Sequence, residues 1–441
     1  MSREGKRKGK EAILMPPRVA GNGLLDRRAF LTGIAKAAGV VTVAGLSSDI
    51  LATAQAIETP SPAVPPWMKV PGKPFRGYGS PSKYEDQVKR TIFQPYKELA
   101  PGAGASMTPL HQLHGTITPS GLHFERHHNG VPDIDPSQHQ LLIHGLVKRP
   151  LMFSVEALHR YPTMSRVYFL ECSGNSFPNA AAEPPQMSCG AIHGLVSCSE
   201  WTGVPAALLL EEAGIDPKGK WVIAEAADAA AMNRSIPLEK MLDDAMIALY
   251  QNGEHLRPEQ GYPVRLLLPG WEGNASVKWL RRLEVTEGPA YSREETSKYT
   301  DLMPDGKARQ FTFVMGVKSV ITHPSAGLHM QGPGFYEISG LAWSGSGRIT
   351  RVEVSADSGK SWAEAALQEP VLSKSLVRFR IPWEWNGGPA LLQSRAADDK
   401  GHVQGTRALW TAQYSTGNVY HYNAIQTWRV SPEGEITNVY L

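Results

Sequence analysis

The stretch Tyr168 to Phe177, YFLECSGNSF, restricts the fold more than any other part of the chain. Tyr168-Phe169-Leu170 reads as the end of a buried strand, and Ser173, Gly174 and Asn175 force a turn directly after Cys172. A thiol is thereby placed at a strand end, on backbone tight enough for a large flat ligand to approach. The chain has only three cysteines. Taken alone, Cys172 reads first as a buried structural thiol, because free cysteine is among the most buried residue types.

Two further residues stand where their surroundings argue against them. Arg265 sits in Pro263-Val264-Arg265-Leu266-Leu267-Leu268, and Lys278 follows Ala275-Ser276-Val277. Both runs read as strands. A cation inside an apolar strand is costly unless paired, so the two imply a buried anionic partner; the alternative is a pair of edge charges whose heads reach water. Upstream, Glu125-Arg126-His127-His128 sets a guanidinium beside two imidazoles just before the Val131-Pro132 break. That grouping suits an oxyanion as readily as an exposed polar loop. Eight of the fourteen histidines crowd between His111 and His159, with no compact zinc spacing and no His-Glu-x-x-His helix.

Composition is ordinary for a globular chain, 41% hydrophobic and 20% charged. The formal charge of +3 comes from the N-terminus, where residues 1–56 hold nine Lys and Arg against four Asp and Glu; the remainder is slightly acidic. No basic stripe remains to hold nucleic acid. Residues 1–56 have the pattern of a twin-arginine export signal. They show a basic start (Arg3 to Lys10), the pair Arg27-Arg28 before Phe30-Leu31, a mildly apolar run Ala37 to Leu46, and a small-x-small site at Ala54-Gln55-Ala56. The run is shorter than the roughly 20 residues of a spanning helix. A periplasmic protein, exported folded and without a membrane span, is expected. There Cys172, Cys189 and Cys198 leave at least one thiol unpaired or ligated. The chain has no Cys-x-x-Cys-His, so no covalent c-type haem is expected on it.

Residues 57–105 are Pro- and Gly-rich and read as an arm lying over another surface. From 106 to 295 strands and short helices alternate: a strand over His139 to Gly145, Ser154 capping a short helix, a helix Ala206 to Ala213 closed by Gly214, and a strand Trp221 to Ala226. Ser235-Ile236-Pro237-Leu238 reads as a helix start. Residues 300–430 alternate in short strands, with a hairpin turn at Asp357-Ser358-Gly359-Lys360, as in an immunoglobulin-sized sandwich. Tyr420-His421-Tyr422-Asn423 and Thr427 to Val430 read as its closing strands.

In this order the motifs resemble the sulfite oxidase family of molybdenum enzymes. They are Arg126-His127-His128, Cys172-Ser173-Gly174-Asn175, Trp201-Thr202-Gly203-Val204-Pro205, Ser235-Ile236-Pro237-Leu238, Gly261-Tyr262-Pro263-Val264-Arg265 and Ser276-Val277-Lys278-Trp279-Leu280. The stretches TPLHQLHGTITPSGLHFERHHNGVPDIDP and YNAIQTWRV are similar to its sulfane-dehydrogenase branch. The resemblance implies an α+β protein: a mixed α/β molybdopterin-binding domain followed by an all-β, immunoglobulin-like dimerisation domain. It implies that Cys172 ligates molybdenum and that Arg126 also faces the substrate. The cofactor would be held by Arg126, His127, His128, Asp228, Gln260, Arg265, Ser276, Val277 and Lys278. It further implies oxidation of a persulfide sulfur on a carrier-protein cysteine, a c-type cytochrome subunit as electron acceptor, and a homodimer within a heterotetramer.

Four positions depart from the family's sulfite-oxidising members. Met232 stands where a tyrosine is expected, Ser176 and Phe177 replace basic residues, and Gln260 replaces a histidine. Fewer cations favour a sulfur chain on a protein thiol over free sulfite. A sulfite dehydrogenase, a methionine-sulfoxide-type reductase and a metal-free binding subunit are the competing readings.

Overall fold

The computed structural model describes residues 16–27, 64–95, 98, 100–414 and 417–441. The basic start, Arg28, the run Ala37 to Leu46 and the Ala54-Gln55-Ala56 site lie outside the described residues. In the arm, Trp67, Met68, Phe75, Tyr78 and Tyr84 are exposed. Its end is built into the body: Thr91–Phe93 pairs with Gly104–Met107, which pairs with Glu125–His127. Arg126 is thus set on a short strand.

Two five-stranded sheets follow. One runs in the order Glu254–His255, Met246–Gln251, Val196–Pro205, Met164–Glu171, with Arg265–Leu267 also on Met246–Gln251. The other runs Leu151–Ser154, Gln140–Gly145, Leu280–Thr286, Trp221–Ala226, Asn233–Pro237. In the latter, Gln140–Gly145 and Leu280–Thr286 pair in parallel. Helices Ala206–Ala213 and Leu238–Asp243 bury Leu209, Leu210 and Met241 in a core with Ile143, Val222 and Ile247. Gly214, at φ 73°, closes the first of these helices, a conformation that costs a glycine little. Ser154 caps its short helix by accepting from Ala157 N.

The C-terminal half is a two-sheet sandwich. Lys318–His323, Gly334–Trp343, Val377–Trp385 and Ala366–Leu367 form one layer. Ala363–Glu364, Ile349–Ser355, Ala390–Asp398, Thr427–Val430 and Ile436–Val439 form the other. Inward side chains alternate along both sheets, as aligned sandwich packing requires. The core is not confined to the sandwich: Phe169, Val196 and Cys198 join Trp343, Phe379 and Trp428 in one buried cluster. The strand that carries Cys172 therefore belongs to both halves. Among the described residues no helix is long and apolar enough to cross a membrane.

Three local expectations change. Ser235 and Ile236 lie in the strand Asn233–Pro237, and the helix starts only at Leu238. Lys278 stands in the loop before Leu280–Thr286, because Gly273–Ala275 forms a tight turn. Tyr420 to Asn423 is no strand; its backbone is drawn across to the turn after Cys172.

Candidate active site

Cys172 follows the last residue of Met164–Glu171, and its flanks are held from both halves of the molecule. The Glu171 carboxylate accepts from Lys318 Nζ (3.2 Å), Trp343 Nε1 (2.7 Å) and Asn175 Nδ2 (2.9 Å). On the other side, Ser173 Oγ accepts from Asn274 Nδ2 (2.9 Å), and the Ser173 carbonyl accepts from His421 N (2.8 Å). The backbone at Cys172 is closed by Cys172 N to Leu195 O (2.9 Å) and Asn175 N to Cys172 O (2.8 Å). Burial pushes the Cys172 thiol up from its ordinary value. A thiolate here needs a strong local positive charge, which a coordinated metal supplies. Cys189 and Cys198 are buried free thiols, so no disulfide competes for Cys172.

All ten residues expected to form the site, Cys172 among them, line one cavity. Arg265 is fully buried and donates only to carbonyls, those of Gln260 (3.0 Å) and Ser276 (3.0 Å) and, more weakly, Leu266 (3.5 Å). Lys278 turns its ammonium onto the Glu259 and Arg126 carbonyls (3.0 and 3.2 Å) and His127 Nδ1 (2.7 Å). Among the described residues no carboxylate lies within ion-pair distance of either cation. Burial pulls Arg265 down to about 9 and Lys278 well below the usual lysine range. Gly261, at φ 106°, lets both approach, since a Cβ there would stand 3.0 Å from Lys278 Cβ and 3.1 Å from Arg265 Cβ. His127 is held by Glu125 (2.9 Å), and burial with the nearby Arg126 charge pushes His128 down to about 3. Gln260 donates to Phe124 O (2.9 Å), Ser276 Oγ accepts from Leu268 N (3.0 Å), and Asp228 accepts from Met232 N (3.1 Å). Val277 supplies apolar wall.

These residues fit a phosphorylated pterin that carries a metal, with one protein thiolate available to the metal. Two buried cations without a carboxylate are what a phosphate requires, and neutral amide, hydroxyl and imidazole groups suit a heterocycle's edge. Cys172 is the thiol in this lining that could ligate the metal.

A second cavity, about 420 Å³, also reaches Cys172. Arg126, His128, Cys172 and Tyr299 are common to both. Its remaining wall is mainly apolar, from Phe93, Met107, Phe177, Leu195 and Val419, with one further cation, Lys298. Phe177 and Phe93 rings stand 6.0 Å apart. Ser176 turns away, bonding His193 Nδ1 and Lys318 Nζ, each at 2.7 Å. The two substitutions thus do different things: one makes an apolar wall, the other braces the turn from behind.

Tyr299 and Tyr420 were not among the expected site residues. Tyr299 reaches His128 Nε2 (3.0 Å) from a left-handed backbone, φ 52°, and its ring stands 5.7 Å from that of Tyr420. A bulky residue held there is strained and needs its surroundings to fix it. Met232 lines the cofactor cavity, and the phenol comes from Tyr299 on a distant segment instead. Nothing in the polar run Arg293 to Thr300 signals this, because only the chain's return over the site brings it in.

Residues 128–294 match the oxidoreductase molybdopterin binding domain, and residues 309–428 match the Mo-co oxidoreductase dimerisation domain. The NADH nitrate reductase of Solanum lycopersicum is 33% identical over 71% of this chain, and the mitochondrial sulfite oxidase of Mus musculus is 29% identical over 71%. The chain spans 39% and 62% of those proteins. The crystal structure of the sulfane dehydrogenase SoxCD from Paracoccus pantotrophus superposes with a TM-score of 0.84 at 46% identity, over 87% of this chain and all of that one. A thiol on a two-sided turn, a cationic cradle without carboxylate partners, and these matches together place the chain in the sulfite oxidase family of molybdopterin oxidoreductases.

Proposed function

We propose that the chain is the molybdenum-carrying subunit of a periplasmic sulfane dehydrogenase, oxidising persulfide sulfur on a carrier-protein cysteine and passing electrons to a c-type cytochrome subunit. The observation that carries this is the second cavity, whose walls beyond Arg126, His128 and Lys298 are mainly apolar, with Phe177 where the sulfite-oxidising pattern has a cation. A free dianion gains little from such walls, whereas a sulfur chain on a peptide arm buries apolar surface there. The 46% identity to a sulfane dehydrogenase supports the same reading.

Bound through Cys172, the molybdenum cofactor supplies oxygen-atom transfer and takes up two electrons per step. The protein's part is position and charge. Arg265 and Lys278 hold the phosphate end, while Arg126, facing both cavities, draws the anionic sulfur toward Cys172. Tyr299 orients its hydroxyl against His128, which burial keeps neutral and able to accept. The C-terminal sandwich mediates homodimerisation, and the exposed aromatic residues of the arm meet the cytochrome. Residues 1–56 direct export by the twin-arginine route.

The test is cytochrome c reduction by the molybdenum-loaded protein with a carrier-bound persulfide and, separately, free sulfite, with Cys172→Ser as control. Preference for the carrier by tenfold or more in kcat/KM is expected. Preference for sulfite would establish the second reading, a sulfite dehydrogenase, which the exposed Arg126 guanidinium favours. Folded, molybdenum-loaded protein inactive on both would sink the two together.

A further inference from the structure

The stretch just before the twin arginines is docked on the far end of its own chain. Pro17 to Asp26 turns back on itself through Gly21-Asn22-Gly23, with Val19 N donating to Leu24 O (2.8 Å) and Asp26 N to Pro17 O (3.0 Å). Leu24 bridges Trp383, Leu25 N donates to Pro382 O (3.1 Å), and both leucines are buried. The site they fill is an edge left open by the sheet. Along that side of Val377–Trp385, the two-residue strand Ala366–Leu367 covers Phe379 and Arg380, and Gln368 N reaches Arg378 O (2.8 Å), so the cover stops at Arg380. The backbone from Pro382 to Glu384 is therefore free to take another strand, as an uncovered edge does.

The fit is specific. Trp383 Nε1 donates to Asn22 O (2.7 Å), Asn22 Nδ2 donates to Ala356 O (2.8 Å), and Gly21 N donates to Ser361 Oγ (2.6 Å). Gly23 is not replaceable without moving backbone, and Gly21 only if the Asp357 side chain gives way. A Cβ on Gly21 would fall 2.1 Å from Asp357 Oδ2, and one on Gly23, at φ 96°, would fall 1.9 Å from Glu384 O. Two glycines, an asparagine and two leucines in one short segment each meet a complementary feature of the sandwich.

We propose that this sandwich edge is a peptide-binding site whose occupant is residues 17–26 of the same chain, and that docking restrains the chain up to Arg27, the first arginine of the pair, in the folded precursor. The site exists only when Val377–Trp385 and the loop at 355–361 have folded together, so the contact reports on the fold of the C-terminal half. Removal of the segment opens the edge and takes away the acceptor of the Trp383 indole. The docking stands whether or not residues 1–56 are an export signal; only its consequence for export rests on that reading.

The test is limited trypsin digestion of the full chain, following cleavage after Arg18 and Arg27 by mass. Cleavage tracks the fraction of time the segment is undocked. Leu24→Asp with Leu25→Asp, and separately Gly23→Ala, are expected to speed cutting at both bonds at least about tenfold while the sandwich still unfolds in one cooperative transition above the digestion temperature. Equal rates in wild type and both variants, all folded, would overturn the proposal.

Discussion

Arg234 and Arg265 are both fully buried within the same half of the molecule, and they answer the cost of burial in opposite ways. Arg234 meets two carboxylates, Glu295 at 2.9 Å and Glu272 at 3.1 Å. Burial alone would lower it, but those charges raise it above its ordinary value. Arg265 meets carbonyls only, and burial pulls it down to about 9. The first arginine completes the fold. The second holds charge in reserve for an anion that the chain itself does not supply. Tyr299 lies between the two sets, with the Arg234 guanidinium 5.2 Å over its ring.

Substitutions should pull the two apart. Arg234→Met leaves two buried carboxylates without their cation, and a loss of about 3–5 kcal/mol in stability is expected from chemical unfolding. Arg265→Met should change the stability of cofactor-free protein by no more than about 1 kcal/mol, since relief of a buried charge offsets the stranded carbonyls. Its effect appears instead as molybdenum cofactor bound at a fixed concentration, with affinity down roughly 10–100-fold. Equal destabilisation by the two changes would break the comparison.

The substrate side offers a smaller effect. Phe177→Arg places a cation in the mainly apolar cavity and should move the ratio of kcat/KM, carrier persulfide over free sulfite, about tenfold toward sulfite. An unchanged ratio would detach Phe177 from specificity. Tyr299→Phe removes one hydrogen bond to His128, about 1 kcal/mol, and should lower kcat several-fold while leaving bound molybdenum unchanged.

Acid should weaken the paired set through Glu272. Burial raises this carboxyl, but Arg234, His421 and Asn274 outweigh it and hold it down to about 2, against 4.5 ordinarily. A carboxylate depressed in the folded state contributes stability that is complete above pH 4.5 and fades as pH falls toward 2. The difference in unfolding free energy between wild type and Glu272→Gln should therefore be flat above that value and shrink below it. A difference that instead grew on acidification would contradict the pairing.

The cofactor side was legible from local pattern. Arg265 within an apolar run and Lys278 after another called for a partner or for water, the order of motifs added Cys172 through the family resemblance, and all three meet at one cavity. Helix Ala206–Ala213 and strand Trp221–Ala226 were equally clear, since hydrophobic period and a closing glycine are short-range signals.

What stayed hidden depends on long-range return of the chain. Tyr299, Tyr420 and the Glu272–Arg234–Glu295 triad come from segments that no local rule connects, and a salt bridge has no sequence spacing of its own. Tyr420 to Asn423 carries a strand's composition, yet the His421 N to Ser173 O bond takes its backbone elsewhere. The same holds for the leader. Composition marked its arginines and apolar run, but the docking of Leu24 and Leu25 rests on an edge that exists only after the sandwich has formed. Residue chemistry and period are written locally, whereas pairing across hundreds of residues is settled by which surfaces the finished sheets leave uncovered.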